Sequence, residues 1–540
     1  FKGANALRYG ANSLGGAINL VSPTGYDADM FGAGLDVGSF GLRKAHVSAG
    51  NVVGPLDYFI NLTALEEDGF RDHSERKGFW GNANLGYRFS EDFETRFYIS
   101  GTSSDQRMPG QVTKATALTN PSAAAATETL YDHQRNIDTL LYANKSSLRL
   151  APDTLLEFGA FGSNRRVKHP IFRWIDYTVQ DYGGFARLSD ERTVFGHRNR
   201  LVVGFNLHNG ENDEERFENL PGAVKGPLET SNLDKSENYT FYAENSFSLL
   251  PDMALVTGLQ YLYAVRDRTN RGGRNPDLSG RSTFDAWSPK LGIVWDVDPG
   301  WQVFANVSRS AEVPSFGEDT VASTPFSAKM QESTTYEIGT RGQRDSYRWD
   351  VALYRAEIDN ELQCITTAPW SPCTVTNADR TIHQGLELGG GIEIIQGMLG
   401  KSSRPDKLWL NAAYSFNDFR FDNDALWGDN ELPGAPRHFL RAELMYQHPS
   451  GFSFGPNAEW APQSYFVDNA NTLKSDGYAI WGLKLGYERE NFSAYVEGRN
   501  LSDRKYISSV SVAGDLGGMD GNYFNPGTGR SVYAGMKLRW

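Results

Sequence analysis

Tyr58-Phe59-Ile60-Asn61-Leu62-Thr63-Ala64 alternates residue by residue between two unlike faces, and Asn82-Ala83-Asn84-Leu85-Gly86-Tyr87-Arg88-Phe89 repeats the pattern after a polar interval. Period two marks a strand, because successive Cβ atoms point to opposite sides of a pleated ribbon. The alternation runs through LYANKSSLRLAP, NVSRSAE and YVEGRNLSD and reaches the final Gly535-Met536-Lys537-Leu538-Arg539-Trp540. Helical periodicity is hard to find. About 22 segments of roughly 8 to 14 residues carry the pattern, the length a tilted strand needs to cross a bilayer and project beyond it.

Composition narrows the class. The 540 residues include 53 Lys+Arg against 66 Asp+Glu, a net charge of −13, with 13% aromatic but only 39% hydrophobic side chains. Mean hydropathy is −0.48, and no stretch approaches ~18 uninterrupted apolar residues, which excludes helical membrane spans. Plentiful aromatic and β-branched residues exclude intrinsic disorder. An acidic chain without basic runs gives nucleic acid nothing to bind. Cys364 and Cys373, within CITTAPWSPC, have no zinc-type spacing and no accompanying His pair. A local disulfide between them, in an oxidising compartment, is expected over the alternative of two unrelated free thiols. The chain opens on FKGANALRYG without a signal peptide or start methionine, so the natural protein is expected to begin upstream.

The connections separate a soluble sandwich from a membrane barrel. Short turns rich in Pro, Asp and Gly fall at 52–57, 89–92, 150–153, 249–252, 297–300, 448–451 and 488–490. Long segments intervene at about 105–135, 163–180, 209–236, 266–283, 310–332, 362–377, 418–437, 462–477 and 506–528. Short turns on one side and long loops on the other make the outer-membrane pattern. No repeat of about 40 residues supports a propeller. Trp80, Trp301, Tyr347, Trp349, Trp409, Trp460 and Trp481 lie near strand ends, where an interfacial girdle sits. The expected fold is all-β: a 22-stranded antiparallel transmembrane β-barrel over residues 28–540. If the first strand rises from the periplasm, 22 strands return the C-terminus there and place both cysteines in one outward loop. So wide a lumen requires an open pore or a plug.

ALRYG at 6–10 followed by LGGAINLVSPTG at 14–25 does not read as barrel strand. It resembles the end of the plug domain of TonB-dependent outer-membrane receptors. GRNLSDRKYISS at 498–509 and NYFNPGTGRSVYAGMKLRW at 522–540 resemble that family's last two strands, and SRSAEVPSFGE at 308–318 and TTYEIGTRG at 334–342 its mid-barrel signatures. The resemblance implies that residues 1–27 are the C-terminal end of an N-terminal plug, the rest of which, with the TonB box, is not in this sequence. It implies import across the bacterial outer membrane by a monomer bedded in lipid and lipopolysaccharide and driven by the TonB-ExbB-ExbD complex. It also makes Trp540 the assembly signal.

No sequence motif suggests enzymatic chemistry: GxSxG, P-loop, HExxH and GxGxxG after a strand are all missing. The 9 His residues show no ligand spacing, so no resident metal or cofactor is expected, and iron would arrive within a chelate. Ligand contacts are expected on outward loops that mix aromatics with Arg. Arg165, Arg166, Lys168, Arg173, Trp174 and Tyr177 form the densest such stretch, with a lipopolysaccharide-facing patch as the equal alternative. Arg107 and Gln111 open another loop. Trp370, between the cysteines, and Tyr465, Phe466, Tyr523 and Phe524 are further candidates. Arg266, Arg268, Arg271, Arg274 and Arg281 read as a solvated loop.

The leading expectation is capture of a ferric chelate, siderophore or ferric citrate. GFRDHS at 69–74 and MPGQVTK at 108–114 also resemble the receptor for pyrroloquinoline quinone, an anionic planar cofactor needing the same groups; cobalamin ranks below it. A passive porin is a further alternative, and a barrel hydrolase built on His73 or His169 another.

Overall fold

The computed structural model describes residues 14–316, 326–366, 373–398 and 405–540. Its frame is a closed antiparallel barrel of 22 strands, from Phe31–Gly38 to Ser531–Arg539. The two-residue strand Thr193–Val194, which pairs with His197–Arg198 inside a turn, is a small addition to the same sheet. Each strand pairs with the next in sequence, and the last pairs with the first, Leu35 lying opposite Met536 and, on its other side, Ala45. At the seam the Phe31 N–H donates to the Trp540 carbonyl (3.2 Å) and the Trp540 N–H to the Phe31 carbonyl (2.9 Å).

The start of the first strand and the end of the last therefore meet at one rim, which also holds the tight turns at 54–55, 89–92, 152–153, 251–252 and 299–300. The opposite rim carries the long connections at 108–133, 360–379, 422–437, 462–477 and 500–530. Outward faces present a broad apolar band: Phe97, Ile99, Tyr142, Phe158, Phe241, Leu259, Trp287, Leu291 and Leu353 are all exposed. Inward faces are polar and ion-paired. That inversion of a soluble core is what a lipid-bedded barrel requires. Trp301, Tyr347 and Trp349 gather near the short-turn rim, with the Trp301 and Trp349 rings 6.5 Å apart, as expected of an interfacial aromatic girdle.

Three expected loops are not loops. Residues 163–180, 209–236 and 266–283 lie largely within strands: Thr154–Pro170 and Trp174–Asp190 join through three residues, and His197–Leu220 and Val224–Leu250 through another three. Gly222 and Ala223 take positive φ, 77° and 56°, in the second turn. Strands of 24 and 27 residues far exceed the ~10 needed to cross a bilayer, so this side of the barrel stands as a tall β-wall above the membrane. Beyond the lipid the outer face turns polar and the inner face carries buried ion pairs such as Arg216–Glu214, so the apolar alternation fades and a polar strand such as Gly210–Arg216 looks like a loop in sequence.

Residues before the first strand contact the inner wall. The Asn84 Nδ2 donates to the Pro23 carbonyl (2.8 Å), and the Gly25 N–H donates to Asp57 Oδ1 (3.0 Å). Asp57 in turn takes a two-pronged bond from Arg96, 2.7 Å on each oxygen. Ile18 and Leu20, about nine-tenths exposed at 91% and 90%, carry their apolar side chains free of the wall.

Every amide of the first strand faces a neighbour, so Leu35→Pro, which removes a ladder N–H and fixes φ, should prevent closure. The faster gel migration of the unheated folded barrel should be lost in that variant. A Leu35→Val control should retain it.

Candidate functional site

The long-loop rim has two unlike halves. On the side that includes the seam, loops 108–133, 462–477 and 500–530 share one apolar core of Val112, Ala117, Ala125, Val467, Ile507, Ala513, Tyr523 and Phe524. Val112 and Phe524 exchange backbone hydrogen bonds, each 3.0 Å. The short helix Lys114–Thr119 starts at Thr113, whose hydroxyl accepts from the Thr116 N–H (3.1 Å). Asp520, from a different loop, accepts the Lys114 and Ala115 N–H groups (2.7 and 3.0 Å), a negative charge on unpaired N-terminal amides. Lys114 Nζ also pairs with Asp476 at 2.8 Å, so one residue links three loops. Asp468 anchors its own loop and ties it to 500–530 by accepting from the Thr472, Leu473 and Leu516 N–H groups and the Thr472 hydroxyl. Burial alone would raise its carboxyl pKa, but these bonds outweigh burial and hold it below the ordinary value.

A disulfide joins Cys364 to Cys373, the pairing expected from the sequence. It lies in the hairpin Leu362–Thr366 and Cys373–Asn377, and the Thr366 N–H donates across to the Val512 carbonyl (3.1 Å). Trp370 lies outside the described residues.

The tall wall forms the other half, and here strand parity divides the basic stretch. In Thr154–Pro170 the even positions share a face with exposed Phe158, so Arg166 and Lys168 point outward. Arg165, with fully buried Val167, points into the lumen. Arg166 sits 3.8 Å from Asp176, which also takes Lys225 (2.8 Å), so the outer patch is partly neutralised. Arg173 is paired with Glu229 of the adjoining hairpin. Trp174 donates from Nε1 to the Ala223 carbonyl (2.8 Å) under Lys225, whose Nζ is 4.2 Å from the ring centre. Arg173 and Trp174 therefore fasten two hairpins together.

Of the expected contacts, Arg165 and Tyr177 meet on one lumenal cavity of about 790 Å³, with Phe161, Tyr242, Phe316 and Asn19. Tyr465 lines a larger one of about 2160 Å³ that extends to the short-turn rim. Phe466 lies against Lys474, whose Nζ is 4.2 Å from its ring centre. Tyr523 and Phe524, at 4% and 0% exposure, are turned into the loop core and away from the mouth. Arg107 is held by Asp132 (3.0 Å), and Gln111 is half-buried in the same loop. Arg266 and Arg268, read in sequence as solvated, lie on the inner wall, the first buried and the second half-buried: Arg268 grips Asp234 at 2.6 and 2.8 Å, and Arg266 holds the Pro314 carbonyl at 3.0 Å. A segment nearly fifty residues away supplies that partner, and nothing in the local sequence announces it.

His73 and His169 cluster around His133, with His73 Nε2 3.1 Å from the His133 carbonyl. Among the described residues no group of three His, Cys, Asp or Glu side chains has the spacing to hold a metal. Burial, followed by the neighbouring His169 and His73, pushes the His133 imidazole from 6.5 down to about 4. The folded loops thus hold His133 neutral where an unfolded chain would protonate it. Its stabilising contribution is complete above pH 6.5 and is lost progressively as pH falls towards 4. A spin label at exposed Ala126 should gain mobility between pH 7 and pH 5, and His133→Asn should flatten that response. A label equally mobile at both pH values in the parent would refute it.

The loop core yields a second expectation. Phe524→Ala should cost about 3–5 kcal/mol of local stability. Protease cleavage within 108–133 and 500–530 should rise while heat-modifiable migration stays unchanged.

A family model described as "TonB dependent receptor-like, beta-barrel" matches residues 24–501. The ferric-pyoverdine M114 receptor PbuA of Pseudomonas sp. (strain M114) is 22% identical over 583 residues, covering 95% of this chain and 68% of that protein. The ferric citrate transporter FecA in its unliganded form superposes with a TM-score of 0.85 at 16% identity, covering 100% of this chain and 83% of that one. The siderophore receptor PiuA from Acinetobacter baumannii gives 0.83 at 14% identity, covering 100% and 85%. With its closed 22-stranded barrel, the chain belongs to the TonB-dependent receptors and is a protein of the bacterial outer membrane.

Proposed function

We propose that this receptor captures a ferric chelate, a siderophore or ferric citrate, at its extracellular rim and passes it inward using work delivered through TonB. The observation that carries this is the lumenal cavity of about 790 Å³ behind the tall wall, where Arg165 meets Phe161, Tyr177 and Phe316. Guanidinium forks suit anionic oxygens, and aromatic faces suit the flat parts of an organic chelator. The pyoverdine receptor relative supports the same ligand class. In this reading residues 1–27 are the end of a plug, and their bonds to Asn84 and Asp57 fix where it joins the barrel. Iron travels as part of the cargo, and the loops on the seam side form a stiff lip against which the cargo is held.

A tryptophan-fluorescence titration of the receptor purified from outer membranes tests this. The panel holds ferric citrate, hydroxamate, catecholate and carboxylate chelates, their iron-free forms, and pyrroloquinoline quinone. Saturable submicromolar quenching by one ferric form and not by its iron-free partner is the expected result. A response to the quinone alone would transfer the receptor to import of an iron-free cofactor.

The disulfide has a separate consequence. It closes a short loop, so it adds little closure entropy to the barrel but orders the hairpin that touches Val512. Cys364→Ser should weaken chelate capture while leaving barrel melting nearly unchanged. Equal affinity in the reduced and oxidised protein would defeat this.

A further inference from the structure

The cavity beside the tall wall is out of electrical balance. Four acidic side chains line it, Asp181, Glu211, Glu214 and Asp234. Three have a cation beside them, Lys235 at 3.0 Å from Glu211, Arg216 at 2.9 Å from Glu214 and Arg268 at 2.6 Å from Asp234, and Asp181 lies 3.7 Å from the His208 ring. Four cations line it as well, Lys145, Arg165, Arg187 and Arg266. Lys145 and Arg187 share Glu157. Among the described residues, Arg165 and Arg266 have no carboxylate within ion-pairing distance.

The two are built differently. Arg165 Nε is buried with no hydrogen-bond partner. Arg266 is only 3% exposed, yet its bonds go to neutral oxygens alone: the Pro314 carbonyl (3.0 Å), Asn238 Oδ1 (3.0 Å) and the Val265 carbonyl (2.9 Å). Those bonds fix the guanidinium without cancelling its charge. A buried charge held in place but left uncompensated is costly unless something else supplies the counter-charge. The strand register sets their separation. Arg165 lies opposite Val179, Val179 opposite Asn212, Asn212 opposite Asp234, and Asp234 opposite Arg268, two residues from Arg266. Four inter-strand steps and the two-residue offset along the strand place the two arginine backbones roughly 20 Å apart along the curved wall. Long side chains leaning inward narrow that span.

Resting on the import reading above, we infer that Arg165 and Arg266 are paired anion contacts and that the cargo carries carboxylate or equivalent oxyanion groups at two separated positions. An uncharged chelate would leave the buried Arg266 guanidinium and the half-buried Arg165 without a counter-ion. A polycarboxylate would satisfy both, whether it encloses iron or is an iron-free quinone acid.

The test uses the receptor purified from outer membranes, and isothermal titration with ferric citrate, an uncharged ferric trihydroxamate and pyrroloquinoline quinone. Arg165→Gln removes one charge. Asn238→Asp neutralises Arg266 in place with a side chain of nearly the same shape, so the support for Pro314 is kept. Each variant should weaken the anionic ligand that binds the parent by about tenfold or more, a charged hydrogen bond's worth. Binding of the trihydroxamate, if any, should be unchanged, and heat-modifiable migration should report an intact barrel. Unaltered affinity for the anionic ligand in both variants overturns the inference and leaves chelate import standing. Equal weakening of charged and uncharged ligands also overturns it, because the residues would then act through structure. Tight binding of the quinone, sensitive to both variants, with neither chelate bound, upholds the anion contacts and overturns the ferric reading. A parent that binds none of the three overturns both.

Discussion

An amide inside hydrocarbon has no water to fall back on, and this structure is arranged around that constraint. Each barrel strand pairs with two others, so no free edge faces lipid, and the ring is completed where Phe31 exchanges hydrogen bonds with Trp540. The consequences follow in order. The strand count must return both ends to one rim, the outward face must be apolar, and polar side chains are driven inward. The lumen thereby inherits the ion pairs and arginines from which the proposed binding surface is made. Function here is a by-product of where polarity is permitted.

How far the sequence revealed this depends on whether a residue's partners are local. The alternation of Tyr58–Ala64 and Asn82–Phe89 and the Pro, Asp and Gly turns depend only on neighbours, and the barrel was legible from them. The tall wall was not. Above the membrane both faces of a strand are polar, the inner one with buried pairs such as Arg216–Glu214, so Gly210–Arg216 has a loop's composition while holding register with Thr230–Ser236. The site was legible in part. Arg165 and Tyr177 were visible as a basic and aromatic cluster. Arg166 and Lys168 shared that cluster in sequence but left it in space, because a step of one residue changes the face. Arg266 was hidden because Pro314 and Asn238 reach it from other strands and loops. Phe524 looked like a ligand anchor because a loop aromatic serves a mouth or a core equally well.

The rim is correspondingly two-sided. One half is a wall of hydrogen-bonded ladders rising from the barrel, stiff because it continues the sheet. The other is a set of irregular loops made stiff by side chains instead: the apolar core around Phe524, Asp468 receiving three amides, and Asp520 sealing the start of a helix. Both devices reduce the conformational freedom a ligand would have to quench on binding. The cavity lies against the ladder side, where lumenal positions repeat every second residue and charge can be laid out in rows.

The loop core also has a position on the ring worth following to its end. Loops 462–477 and 500–530 hang from strands on the C-terminal side of the seam, and loop 108–133 from strands on the N-terminal side. Their shared core therefore spans the line where the first and last strands meet. A barrel inserted strand by strand has an interval when that line is open, like a cylinder with a slit. Here the slit is fastened twice, within the bilayer by backbone and above it by Val112, Phe524 and Lys114. Prising the cylinder apart sideways would have to break both fastenings, and the upper one is made of residues in the loops above the lipid.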